Sequence, residues 1–408
     1  MDGKGALSGI RIFDLTRILA GPTCTQLLGD LGAEVIKIER PGQGDDTRRW
    51  GPPYVTDAEG RPTGESAYYL CANRNKRSLA LDIAKPEGQR LARRLIAHCD
   101  VLVENFKVGG LAKYGLGYED LRAEFPGLVY CSITGFGQTG PQASRAGYDF
   151  LAQGQGGIMS ITGEPDGQPL KVGVGIADVM CGMYAAVAIL AALRHRDATG
   201  EGQYIDMALL DTQVAWLVNE GVNYLVSGRV PRRLGNEHPN IVPYKAFESA
   251  DGWVILAVGN DRQFARWCRF AEVPELARDP RFATNSARVE NRRALYALME
   301  PVMRRRTTAA WVEGLSELGV PCGPVNDIGQ VFADPQVCAR NMRIDMPHPR
   351  AGRGTVPLIA NPIKMTATPP DYRYPPPLLG QHTEELLREL LHAGPEEIAA
   401  WRAAGVIA

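Results

Sequence analysis

The chain is poor in almost every signal that would assign it to a familiar chemistry. Its eight cysteines are scattered, with no C-x-x-C pair. That spacing supports neither a zinc cradle nor a disulfide framework, and it suits reduced thiols in a cytoplasmic compartment. The six histidines show no H-x-x-x-H or similar spacing, so nothing argues for a metal site. No G-x-S-x-G turn is present, and no Cys–His pairing follows from spacing. The first strand-to-helix turn, RILAGPT, lacks the G-x-G-x-x-G run that wraps a dinucleotide pyrophosphate. Charge of one sign is missing too. A net charge of −1 removes any global attraction for nucleic acid and leaves only local basic sites for phosphate. The N-terminal MDGKGALSGIRIFDL does not follow the basic, apolar, small-residue order of a secretory signal. The apolar uncharged stretch Val179 to Leu193 is short for a bilayer span. A soluble protein without a membrane partner is expected. With metal, serine and cysteine chemistry losing support, a carboxylate nucleophile gains some.

What is present begins with length: 408 residues exceed the size at which a single core usually keeps growing, so two domains are expected. The first ~200 residues alternate short apolar runs with helical patterns, the signature of a parallel α/β sheet. IRIFDL (10–15), EVIKIE (34–39), SLALDI (78–83), VLVENF (101–106) and LVYCSIT (128–134) read as strands. Helices are predicted over 22–31 and after Lys85, where Leu91, Leu95 and Ile96 share one face. A Gly-rich helical segment runs from Tyr148 to Met159, and 204–227 reads as a strand and one long helix. The character then changes. YKAFESADGWVILAVG (244–259) is a hairpin signal, followed by helices at about 261–271, 289–305 and 307–318. The expected division is 1–225 for the N-terminal part of a large domain and 226–330 for a small α+β domain. Residues 331–408 would return to the large domain through a Pro-rich strap (356–382) and two closing helices, 383–391 and 395–403.

Asp178 is the most informative residue. It stands at the head of a run free of basic residues until Arg194. One reading is an N-cap, a carboxylate accepting backbone N–H groups at a helix start. The other is a carboxylate held dry for attack on an acyl carbon. Elsewhere, Glu39 ends the second strand where a dinucleotide fold places a ribose-binding acid, with Arg40 immediately after it. NRNKRS (73–78) reads either as an exposed loop or as an Arg fork for phosphate or carboxylate. Asn105 and Phe106 end a strand at the carboxyl edge, where open α/β sheets bind ligands. Gly259-Asn260-Asp261 reads as a mobile loop or a simple turn.

The ordered motifs LSGIRIFDLTRILAGP, LGDLGAEVIKIERPGQGDDTR, NRNKRSLALD, DVLVENF, GLGYEDL, SITGFGQTGP, GYDFLAQGQGG, ADVMCGMYAA, GVPCGPV and PPLLGQHTEELL span nearly the whole chain. In that order they resemble the family III CoA-transferases. The wording of GDDTRRWGPP, YLCANRNKRS and IVPYKAF is nearest to the succinate–hydroxymethylglutarate type. The resemblance implies a Rossmann-like large domain with a smaller α+β domain, in an interlocked homodimer. It also implies Asp178 as nucleophile, forming an aspartyl-CoA thioester, with coenzyme A as substrate and no tightly bound cofactor. Ile18, Leu19, Ala20, Arg40, Leu81, Asn105, Phe106, Lys113, Tyr148 and Asp149 match positions of the CoA site, and Gly259 and Asn260 fall near the family's acyl-site loop. Tyr148 replaces the His of related α-methylacyl-CoA racemases, and a phenol with a pKa of about 10 is a poor base near neutrality. The expected donor is succinyl-CoA and the acceptor a small dicarboxylic acid, with Arg17, Arg74 and Arg145 as candidates for its second carboxylate. A racemase or epimerase and a non-catalytic CoA-binding partner remain as alternatives.

Overall fold

Ile12, Val35, Ile36, Val101, Val103, Val129 and Ile133 are β-branched, and they sit on short runs bounded by polar turns. In the computed structural model, which describes residues 5–408, these runs become buried strands. In chain order they are β1 (Arg11–Asp14), β2 (Glu34–Glu39), the hairpin β3 (Tyr54–Thr56) and β4 (Pro62–Ser66), β5 (Lys76–Ala80), β6 (Val101–Glu104), β7 (Val129–Thr134) and β8 (Tyr204–Ala208). Six of them form one parallel sheet in the order β5-β2-β1-β6-β7-β8. The order reverses between β1 and β6. A doubly wound sheet opens a crevice there, beyond the carboxyl ends of its strands.

Both faces are covered, as a parallel sheet requires. One face presents Phe13, Ile36, Leu79 and Leu102 to Leu91 and Leu95 of the helix Pro86–Ile96 and to Leu386 and Leu390 of Thr383–Leu391. Burying each such leucine contributes about 1.5–3 kcal/mol. The other face presents Ile12, Val35, Val103 and Ile133 to the first helix, Ala20–Asp30, and to the long helix Ile176–Thr199. The long helix has 24 residues, more than its uncharged run, and by length and composition it could cross a membrane. Its small residues instead pack in the core: a Cβ on Gly182 would come 2.4 Å from the carbonyl oxygen of Ala20. That close approach brings the start of the long helix to the start of the first.

The chain forms two compact units. The first takes in residues up to Ile158, Lys171–Val222 and Cys338–Ala408; the second is Met159–Leu170 with Asn223–Val337. Inclusion of 159–170 in the second unit was not foreseen. Arg233 donates to the carbonyl of Gly167 (2.7 Å) and Gly235 N–H to that of Gly163 (3.0 Å), bonds between segments distant in sequence. The second unit's sheet is antiparallel, β11-β10-β9, from β9 (Tyr244–Glu248), β10 (Trp253–Ala257) and β11 (Cys322–Pro324). Its core gathers Phe247, Phe264, Trp267 and Trp311. The single helix expected before residue 227 is two, Leu209–Ala215 and Val218–Ser227, broken where Val218 takes φ +41°.

The NRNKRS run is the clearest departure. Asn73 to Ser78 are all buried, so the segment is neither an exposed loop nor a fork open to ligand. Arg74 grips Asp30 (2.9 and 2.6 Å) and the carbonyl of Ile359 (2.7 Å). Arg77 binds Glu34, Glu385 and Glu389 at 2.6–2.7 Å. The Pro-rich strap is seated on this run, with Asn75 N–H donating to the carbonyl of Tyr374 (2.7 Å). These cations fasten the chain's C-terminal part to the sheet, and Arg74 is not available to a substrate carboxylate.

Candidate active site

At the sheet's reversal, the loops after β1, β6 and β7 surround a cavity of about 380 Å³. Ile18, Leu19 and Ala20 come from the first loop, Asn105 and Phe106 from the second, and Lys113, Tyr148 and Asp178 complete the wall. Arg17, Lys107 and Arg145 add positive charge to the rim.

Asp178 is not the N-cap of its helix. It is the third helical residue, behind Gly175 at the cap, because Asp149 supplies the capping function from another segment. One Asp149 oxygen accepts the N–H of Ala177 (2.8 Å) and of Asp178 (3.3 Å), and the other accepts Gln153 Nε2 (2.7 Å). The Asp178 carboxylate is thereby left for chemistry. It is 8 % exposed, and no donor or cation contacts it among the described residues. Burial first, and the neighbouring Asp149 charge second, push its pKa up to about 7. A carboxyl so raised titrates where a nucleophile or base is useful.

The start of the first helix, which lines the same cavity, is complementary. The N–H groups of Leu19, Ala20 and Gly21, at the start of the first helix, have no acceptor among the described residues. Unmet donors at a helix N-terminus favour negative charge. Three other backbone donors are already taken. Those of Ala177 and Asp178 go to Asp149, and that of Gly259 goes to Gln263 Oε1 at 2.9 Å.

Three expected CoA-site residues do not line the cavity. Arg40 is exposed just past β2. Leu81 lies in the core, bridged to Ile407, because its strand edge is covered by the returning C-terminus. Asp149 has both oxygens engaged as described. Gly259 and Asn260 belong to the second unit, where the Asn260 side chain caps the helix Asp261–Phe270 by accepting Gln263 N–H (3.0 Å). Glu39 is no ribose acceptor: Arg48 holds both of its oxygens (2.8 and 2.7 Å). Arg17 pairs with Asp46 (2.9 Å) and lies 5.9 Å from the centre of the Phe106 ring.

Sequence reasoning missed Tyr68 and Trp50. Burial, then the Asp178 charge, raises the Tyr68 hydroxyl to about 12, which marks it as an electrostatic neighbour of Asp178. Trp50 meets Tyr68 edge-on at 5.1 Å. Neither residue has a spacing signal in the chain; the fold alone brings Tyr68 near Asp178 and Trp50 against Tyr68.

Known proteins resemble the chain over nearly its whole length. A model of the family described as CoA-transferase family III matches residues 7–383. The chain is 52 % identical over 388 residues to the succinate–glutarate CoA-transferase of Agrobacterium fabrum, covering 95 % of this chain and 96 % of that one. It is 45 % identical over 407 residues to the human succinyl-CoA:glutarate CoA-transferase, covering 100 % and 91 %. A crystal structure of a CAIB/BAIF family protein from Brucella suis superposes with a TM-score of 0.84 at 49 % identity, covering 95 % of this chain and 100 % of that one.

Proposed function

The chain belongs to CoA-transferase family III, and we propose that it moves coenzyme A from succinyl-CoA to a small dicarboxylic acid such as glutarate. The observation that carries the reading is Asp178: a buried carboxylate with no ion-pair partner, in the same cavity wall as a helix start with unmet N–H groups. Asp178 attacks the thioester carbon, and the C–S bond breaks to give a mixed anhydride and CoA thiolate. The thiolate then attacks the Asp178 carbonyl, leaving aspartyl-CoA and the free donor acid. The acceptor carboxylate runs the same steps in reverse. Each step exchanges one activated acyl bond for another, so no external energy source is needed.

Leu19 and Ala20 N–H groups are the candidate oxyanion donors, an effect of about 3–4 kcal/mol per donor. Arg17, Lys107, Lys113 and Arg145 suit the phosphates and the second carboxylate, since cations at a cleft attract both. Holding the remote nucleotide places the thioester against Asp178. The buried Cys24, Cys131, Cys181 and Cys268 form no disulfide, which suits a reducing, cytoplasmic setting. The long helix also turns Met183, Val187 and Leu190 outward at helical spacing, with Val187 64 % exposed. A second copy of the chain, interlocked as the resemblance implies, suits that stripe, and sedimentation as a single chain would exclude it.

The decisive experiment mixes protein, succinyl-CoA and glutarate, follows glutaryl-CoA, and traps with hydroxylamine before peptide mass spectrometry. Label on Asp178 is expected. Turnover with Asp178 unlabelled rejects the covalent route, and α-proton exchange without acyl transfer selects the racemase alternative.

Asp149→Asn gives a separate expectation. The amide keeps an acceptor for the Ala177 and Asp178 N–H groups but removes the charge that helps raise Asp178. The nucleophile is the ionised form, whose fraction grows as pH rises through its pKa. Lowering that pKa therefore moves the acid limb of the kcat/KM profile to lower pH. A limb that stays in place removes Asp149 from the electrostatics of the site.

A further inference from the structure

Ile18 carries a backbone conformation that its side chain disfavours. Its φ is +73°, in the left-handed region, and it is β-branched. Such a residue costs on the order of 1–3 kcal/mol and persists only where surrounding contacts over-determine it. Those contacts are visible. Asp14 Oδ1 accepts Thr16 N–H (2.9 Å), Asn105 Oδ1 accepts Arg17 N–H (3.0 Å), and Asp45 Oδ1 accepts Ile18 N–H (3.2 Å). The carbonyls are held too: Lys37 Nζ donates to Thr16 O (3.0 Å) and Asn105 Nδ2 to Arg17 O (2.7 Å). Lys37 in turn pairs with Asp45 (2.9 Å), and both are wholly buried. The next residues, Leu19 and Ala20, are those whose N–H groups stay unmet beside Asp178.

We propose that Asp45 and Asn105 are positioning residues for the transfer reaction: they lock Ile18 in its left-handed turn and so fix where the Leu19 and Ala20 donors stand. The assignment rests on the CoA-transfer reading above. It gives a task to Asp45, which does not line the cavity and touches no reacting group. It also gives the Asn105 amide a role apart from contact with coenzyme A, since both of its polar atoms already serve the Arg17 backbone.

The test measures kcat and KM for succinyl-CoA in Asp45→Asn, in Ile18→Gly and in the double variant, with thermal melts alongside. Without the buried charge that anchors Lys37, the turn loosens, and a misplacement of about 1 Å at a reacting centre costs roughly 10²-fold. Asp45→Asn is therefore expected to lose roughly 10²-fold in kcat with KM little changed. Glycine adopts the left-handed turn without strain. Ile18→Gly on the Asp45→Asn background is therefore expected to recover at least about tenfold, a coupling that independent sites would not show. If Asp45→Asn does not fold, Asn105→Ala takes its place in the same cycle. A raised KM with unchanged kcat, or a loss of kcat that Ile18→Gly does not relieve, overturns the proposal. Failure of the underlying reading is distinct, because the unaltered protein would then show no transfer at all.

Discussion

Asp178→Asn is expected to stop CoA transfer while making the protein more stable above neutral pH. An amide cannot supply the attacking oxygen, and removing a nucleophile from a cooperating set typically costs at least ~10⁴-fold in kcat. The hydroxylamine-trapped adduct at this position should vanish with the activity. Stability follows from linkage. In the fold, the Asp178 pKa is raised from an ordinary 3.8 to about 7. Below the lower value the group is protonated in folded and unfolded chains alike, and its burial is tolerated. As pH rises through 4 to 7, the unfolded chain sheds the proton first, so the carboxyl progressively destabilises the fold. At pH 8 that cost is on the order of 4 kcal/mol, from about 1.4 kcal/mol per pKa unit. Asn removes it. The variant should therefore melt higher than the unaltered protein at pH 8 and nearly with it at pH 4. Equal melting at both pH values would mean that Asp178 is solvated and not poised.

Lys76→Ala is expected to destabilise the fold by about 3–5 kcal/mol, the usual cost of stranding one partner of a buried ion pair. Lys76 and Asp14 are both fully buried, 3.3 Å apart, with the ammonium also bound to the Pro22 carbonyl (3.0 Å) and Asn73 Oδ1 (3.2 Å). Removing the cation leaves Asp14 facing the helix that opens the cavity wall, and that helix should loosen. Pairing the change with Asp14→Asn removes the stranded charge and should recover part of the loss. Urea denaturation of the single and double variants reads the difference. A single variant within about 1 kcal/mol of the parent would show that the pair is solvated after all.

How much of this was legible depended on whether a residue's role was set by its neighbours in sequence. The helix carrying Leu91, Leu95 and Ile96 and the closing helices Thr383–Leu391 and Pro395–Ala403 follow from apolar period and caps, which act within a turn or two. Of the residues matched by resemblance, 18–20, 105, 106, 113, 148 and 178 meet at one cavity, and most of them stand just past a strand end or near a helix start. NRNKRS misled because charge density reads as exposure. Its partners Asp30, Glu34 and Glu385 lie 44, 43 and 308 residues away along the chain. The N-cap reading of Asp178 failed for the same reason, since Asp149, 29 residues upstream, was the better placed acceptor.

By itself the sequence determined the strands, most helices and the acid with no basic neighbour in its own segment. Apolar period and local charge spacing are short-range physics, and a single chain displays them. Only the tertiary structure decided which carboxylates are neutralised by distant cations, and that none of the described cations contacts Asp178. It also decided that Ile18 is held against its own preference and that the N–H groups of Leu19 and Ala20 are left unmet. Those outcomes depend on desolvation and on hydrogen bonds between segments, whose strength is set by where the folded chain excludes water.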